Sequence, residues 1–73
     1  MKKLFYDVWR DPEGGWYTEI FQQDGAQIKQ TETRKAADEA DKEAKEFIEG
    51  QDAQPVMVHY DGRYLNPTKE GGN

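Results

Sequence analysis

Two hydrophobic periods divide the chain. From Leu4 to Arg10 the residues alternate, with Leu4, Tyr6 and Val8 on one face and Phe5, Asp7 and Trp9 on the other. From Trp16 to Gln22 they alternate again, Trp16, Thr18 and Ile20 against Tyr17, Glu19 and Phe21. A period of two in aromatic and β-branched residues predicts a half-buried strand in each stretch. Between them Asp11-Pro12-Glu13-Gly14-Gly15 carries a proline that fixes φ and glycines free to adopt positive φ, so the strands should form an antiparallel hairpin. Asp24-Gly25 turns the chain again into a polar third strand, Ala26 to about Gln30, whose single large apolar residue, Ile28, suits a sheet edge.

The period changes after Thr33. Ala37, Ala40, Ala44, Phe47 and Ile48 recur at steps of three and four, with Ala36 at the margin, which places them on one stripe of an α-helix ending near Gly50. Thr31 or Thr33 is expected to cap its start, without a capping box, and Gly50 to close it as a left-handed cap. Lys35 with Glu39, Asp38 with Lys42, Asp41 with Lys45 and Lys42 with Glu46 are oppositely charged and four apart, the mark of a solvated helix face. After a polar linker, Gln51 to Gln54, the segment Pro55 to Tyr60 reads as a buried strand. Asp61-Gly62 then reads as a turn and Arg63-Tyr64-Leu65 as a short last strand. The expected fold is α+β: a three-stranded antiparallel meander, one helix packed on one face, then one or two further short strands, β-β-β-α-β(-β). A single domain should span residues 1–66, followed by a disordered tail over 67–73.

The helix would most profitably cover Leu4, Val8, Trp16, Ile20, Ile28, Val56 and Val58. The opposite face then carries Phe5, Trp9, Tyr17 and Phe21, and no second helix exists to cover it. Two readings stand side by side. Cross-strand aromatic pairs stabilise a sheet without binding anything, and an extended aromatic patch marks an interaction site. In the second reading the partner is a protein, most simply another copy of the chain in a homodimer.

Composition narrows the function classes. The 73 residues include no cysteine, which removes disulfides, thiolate zinc ligands and thiol nucleophiles. The opening MKKLFYDVW resembles the start of a signal peptide, but Asp7 and Arg10 break the apolar run early, so it reads as a strand. No stretch approaches the length of a membrane span, and a soluble, cytoplasmic protein without a membrane partner is expected. A net charge of −5 repels phosphates, and Lys2, Lys3, Lys29, Arg34 and Lys35 are too few for a strong basic patch, so nucleic-acid binding is disfavoured.

The chemistry-bearing residues point away from catalysis. His59 is the only histidine, and the reading of His59-Tyr60-Asp61 as an acid/base or metal site yields to that of a half-exposed strand histidine. The carboxylates sit mostly on the helix and in turns, where they stay solvated. Gly14-Gly15 lies between strands instead of opening a helix, so it is no phosphate loop. No catalytic residue, metal site or cofactor is expected, and the chain reads as a non-enzymatic interaction module. The alternative is a nucleic-acid-binding accessory protein of phage or mobile-element origin.

Gly14-Gly15-Trp16, Thr33 with Ala36-Ala37, and His59-Tyr60-Asp61-Gly62-Arg63 after a valine-rich strand together resemble a family of short bacterial and phage proteins of unknown function. The resemblance runs from about Leu4 to Leu65 and implies a small α+β domain with a strand hairpin, one helix and returning strands. The chain is also similar to YegP-type small domains. More distantly, its three strands followed by a helix resemble the arm-binding domains of phage integrases, which bind DNA through the sheet with basic residues. Here the matching strands carry Asp7 and Glu19 and few cations.

Overall fold

The computed structural model describes residues 2–65. The expected tail over 67–73 lies outside the described residues. Strands β1 (Lys3–Arg10), β2 (Trp16–Phe21) and β3 (Gln27–Gln30) precede helix α1 (Ala37–Gly50), and β4 (Gln54–Tyr60) and β5 (Arg63–Tyr64) follow it. The α+β class and the strand-strand-strand-helix-strand order are therefore as the two periods predict. The strands form one mixed sheet in the order β3-β2-β1-β4-β5. β1 pairs antiparallel with β2 and parallel with β4, so the first strand of the chain lies at the centre.

The core lies between α1 and one face of the sheet. Leu4, Tyr6, Val8 and Ile20 from the strands meet Ala44, Ile48 and Ala53, with Trp16, Phe47 and Met57 packed around them. Small residues at Ala40 and Ala44, both fully buried, let the helix axis approach the sheet closely. The Tyr6 hydroxyl reaches through this layer to donate a hydrogen bond to Asp41 Oδ1 on the helix. Burial first, and then that carboxylate, hold the Tyr6 phenol above its ordinary range.

Several expectations are corrected. The helix begins at Ala37 because both threonines have other work: Thr31 Oγ1 accepts the Thr18 N–H at 2.9 Å, and Thr33 Oγ1 donates to Asp11 at 2.9 Å. Glu39 caps the start from within the first turn instead, its carboxylate accepting the Ala36 N–H at 3.3 Å. Gly50 is the last helical residue, and Asp52, at φ 58°, takes the left-handed position two residues later. Ile28 is 40% exposed and contributes no core.

The largest correction concerns β4. Its parallel register sets Pro55 beside Leu4 and Met57 beside Tyr6, which brings Met57 to the helix side. Val56 pairs with Phe5 and so falls on the opposite face. A bulge then sets Asp7 beside His59 and Val8 beside Tyr60. Sequence alternation within β4 cannot choose between the two faces when the neighbouring strand is distant in the chain.

Candidate functional site: the open sheet face

The face turned away from α1 is built by the β1–β2 register. Phe5 pairs with Phe21, Asp7 with Glu19 and Trp9 with Tyr17. Because alternate residues of a strand share a face, these pairs stack as three rows: aromatic, acidic, aromatic. Phe5, Trp9, Tyr17 and Phe21 therefore share one surface, each half-buried by its neighbours, and no element covers it among the described residues.

The acidic row extends across the sheet. Glu19 pairs with Gln30 on β3, Asp7 with His59 on β4, and His59 with Tyr64 on β5. The Asp7 side chain is buried at 6% exposure, and its Oδ1 accepts the Glu19 backbone N–H at 3.0 Å. Burial and then the Asp7 charge raise the proton affinity of the Glu19 carboxyl above the usual carboxylate range. The Trp9 indole opposes that rise from close by, although its buried Nε1 makes no hydrogen bond of normal geometry. Tyr17 is pushed in the same direction, by burial and then by Glu19, Asp7 and Asp11.

His59 is corrected from a half-exposed strand residue to a buried one, 2% exposed. It stacks on Trp9 with ring centroids 3.9 Å apart and meets the edge of Tyr64 at 4.7 Å. Its Nε2 accepts the Gly62 N–H at 3.1 Å, which places the proton of the neutral ring on Nδ1, a buried atom without a partner. His59 and Asp61 do not form a unit. Asp61 turns outward to Arg10 at 2.9 Å, and that guanidinium holds its carboxyl below the usual range.

Ion pairs lie elsewhere. Arg10 pairs with Asp61 at 2.9 Å, Arg34 with Glu43 at 2.8 Å and Lys45 with Asp41 at 3.0 Å. Among the described residues no cation pairs with Asp7 or Glu19, and no group of three or more His, Asp or Glu could hold a metal ion. Lys29 faces the helix side, paired in register with Ile20. There an open groove of about 770 Å³ has Leu4, Ile28 and Phe47 as its apolar floor, with Lys2 and Lys3 on its rim. Lys29 lies 5.5 Å over the Phe47 ring.

No family model, curated protein or solved structure matches this chain. No helix of the described residues is long and apolar enough to cross a membrane.

Asp7 and Glu19, noted in the sequence only as acidic strand residues, and His59, set aside there as half-exposed, are further members of the site. The signal for Asp7 and Glu19 was present in the hairpin: once Arg10 faces Trp16, Asp7 must face Glu19. His59 had no such signal, because its place depends on the parallel register of β4 and on the bulge.

Proposed function

We propose that the protein is a non-enzymatic interaction module, acting in the cytoplasm, that engages a protein partner through the open sheet face. The observation that carries this reading is the pair of aromatic rows, Phe5 with Phe21 and Trp9 with Tyr17, on a face left free by the single helix. Aromatic rings suit such a surface because they offer large contact area and lose few rotamers on binding. Asp7 and Glu19 at the centre of the same face count against the nucleic-acid alternative, since phosphates would be repelled where the rings could stack on bases.

A second copy is the simplest partner. A face-to-face homodimer would bring two Asp7–Glu19 pairs together, so this form of the reading predicts association that tightens at low pH and high salt. Sedimentation at several pH values and salt concentrations decides it, and a monomer under all conditions excludes the homodimer.

The general reading is tested with Tyr17→Ser combined with Phe21→Ser, a variant that spares the Trp9–His59 stack. Capture from the source lysate is compared between wild type, this variant and Lys42→Ser on the exposed helix face. Proteins held by wild type and the helix variant but lost from the sheet variant support the reading. Equal capture by all three overturns it.

A further inference from the structure

The central row of the open face lacks a countercharge. Asp7 is nearly buried, and buried charges in folded proteins are ordinarily paired. The nearest ionisable group across the hairpin is another carboxylate, Glu19, directly opposite. Like charges facing each other across an antiparallel pair destabilise the sheet. Of the chain's three arginines, Arg10 and Arg34 are committed to Asp61 and Glu43, and Arg63 pairs in register with Tyr60, one residue out of step with the His59–Tyr64 row. A surface that keeps such a row between aromatic pairs has the composition of a cation receptor: negative charge at the centre, aromatic rings to either side.

We infer that the open face receives an arginine side chain of the partner, its guanidinium seated on the Glu19 carboxylate over Asp7 and flanked by the Phe5–Phe21 and Trp9–Tyr17 rows. This rests on the reading of the face as a contact surface and commits its occupant to a protein other than a second copy, since a face-to-face copy would set one Asp7–Glu19 pair against another. Geometry favours a guanidinium over an ammonium. Successive rows on one face are about 7 Å apart, twice the rise of a strand residue, so a planar group lying on the middle row is within reach of rings on both sides. A guanidinium presents a flat fork to a carboxylate and stacks on aromatic rings, whereas an ammonium is a compact and more strongly hydrated point charge. Glu19 is the accessible member of the pair and Asp7 the buried one, so the direct contact falls to Glu19 while Asp7 adds its charge from below. The acidic residues of the helix do not compete for this role, because α1 packs on the other side of the sheet.

The test uses Nα-acetyl-arginine methylamide as the probe, with its uncharged citrulline counterpart as the control. Each is titrated into the full-length protein while backbone amides and the Trp9 indole N–H are followed by NMR. The arginine probe should shift the amides of residues 5–9 and 17–21 and the Trp9 indole, and the citrulline probe should not. Glu19→Gln should weaken the arginine probe about tenfold, the worth of one charge-assisted hydrogen bond. Glu19→Gln is chosen because it removes a like-charge contact and leaves the fold intact. Added salt should weaken binding in wild type more than in the variant. Equal binding of arginine and citrulline on this face overturns the inference while leaving the contact-surface reading standing. Shifts confined to the acidic helix, no shifts at all, or undiminished binding by Glu19→Gln each overturn it as well.

Discussion

His59 lies against Trp9 with ring centroids 3.9 Å apart and planes 28° from parallel, while its Nε2 holds the Gly62 N–H of the following turn. One side chain thus ties β1 to β4 by stacking and secures the Asp61–Gly62 turn, in which both residues have positive φ. His59→Ala should lose the stack and the acceptor together, at a cost of about 3 kcal/mol. His59→Phe keeps a ring on Trp9 and should cost about 1 kcal/mol, the price of leaving one N–H unpaired. Urea unfolding gives the order, and hydrogen exchange at Gly62 should quicken in both variants.

Glu19 faces Asp7, and its raised proton affinity gives a pH dependence of definite sign. A carboxyl with a higher pKa folded than unfolded favours the folded state when protonated. That contribution is complete below the unfolded value and is lost as pH rises through the folded one. Glu19→Gln, which mimics the protonated form, should therefore raise stability at pH 7 by about 0.5 kcal/mol, the scale of an opposed like-charge pair. The gain should shrink as the pH is lowered through the carboxylate range. A stability profile of both proteins between neutral and acid pH checks it, and a variant less stable than wild type at pH 7 contradicts it.

Gly15 is held where no side chain fits. At φ 98°, a Cβ there would lie 2.6 Å from Thr33 Cγ2 and 2.7 Å from the Arg34 carbonyl oxygen. The backbone cannot retreat without breaking the Trp16–Arg34 bridge, whose two hydrogen bonds are both 2.7 Å. Gly15→Ala should cost about 3 kcal/mol. Gly14→Ala meets open space and should carry only conformational strain, about 1 kcal/mol. Thermal unfolding of the two variants separates clash from strain.

Tyr6 donates to Asp41 from within the core. Tyr6→Phe should lose about 1 kcal/mol at neutral pH. Because burial and Asp41 raise the phenol pKa on folding, the wild type should lose stability as pH rises above the ordinary tyrosine value, when the unfolded chain ionises first. Tyr6→Phe should flatten that alkaline decline. Unfolding midpoints between pH 8 and 11 measure the difference, and parallel declines would assign it to other groups.

Local pattern made much of this fold readable. Alternation in β1 and β2, the Asp11–Gly15 loop and the alanine stripe of α1 each report on neighbours close in sequence, so the hairpin and the helix could be drawn without coordinates. The aromatic rows belong to that hairpin and were readable with it. What failed depends on contacts between distant segments. Val56 and Val58 look like core because β-branched residues favour strands, yet the face of Val56 is set by its pairing with Phe5, and Val58 falls at the bulge. Thr31 has the chemistry of a helix cap, and only the position of Thr18 shows that its hydroxyl serves the sheet. His59 is misread for the same reason: nothing near it in the chain reveals that Trp9 stacks on its ring.

The central place of β1 also governs the timing of assembly. Its inner partner is β4, with Lys3 beside Gln54 and Val8 beside Tyr60, so nearly the whole chain must exist before the middle of the sheet can close. On the ribosome, β1 and β2 can zip as soon as both emerge, but one edge of β1 then waits unpaired until β4 arrives. Closing so long a loop is entropically slow to begin. During that interval the nascent hairpin exposes Leu4, Tyr6 and Val8 on one side and its aromatic rows on the other. The helix, made in between, is the first element able to shield the apolar side, which gives the order of synthesis a protective role that the finished fold no longer displays.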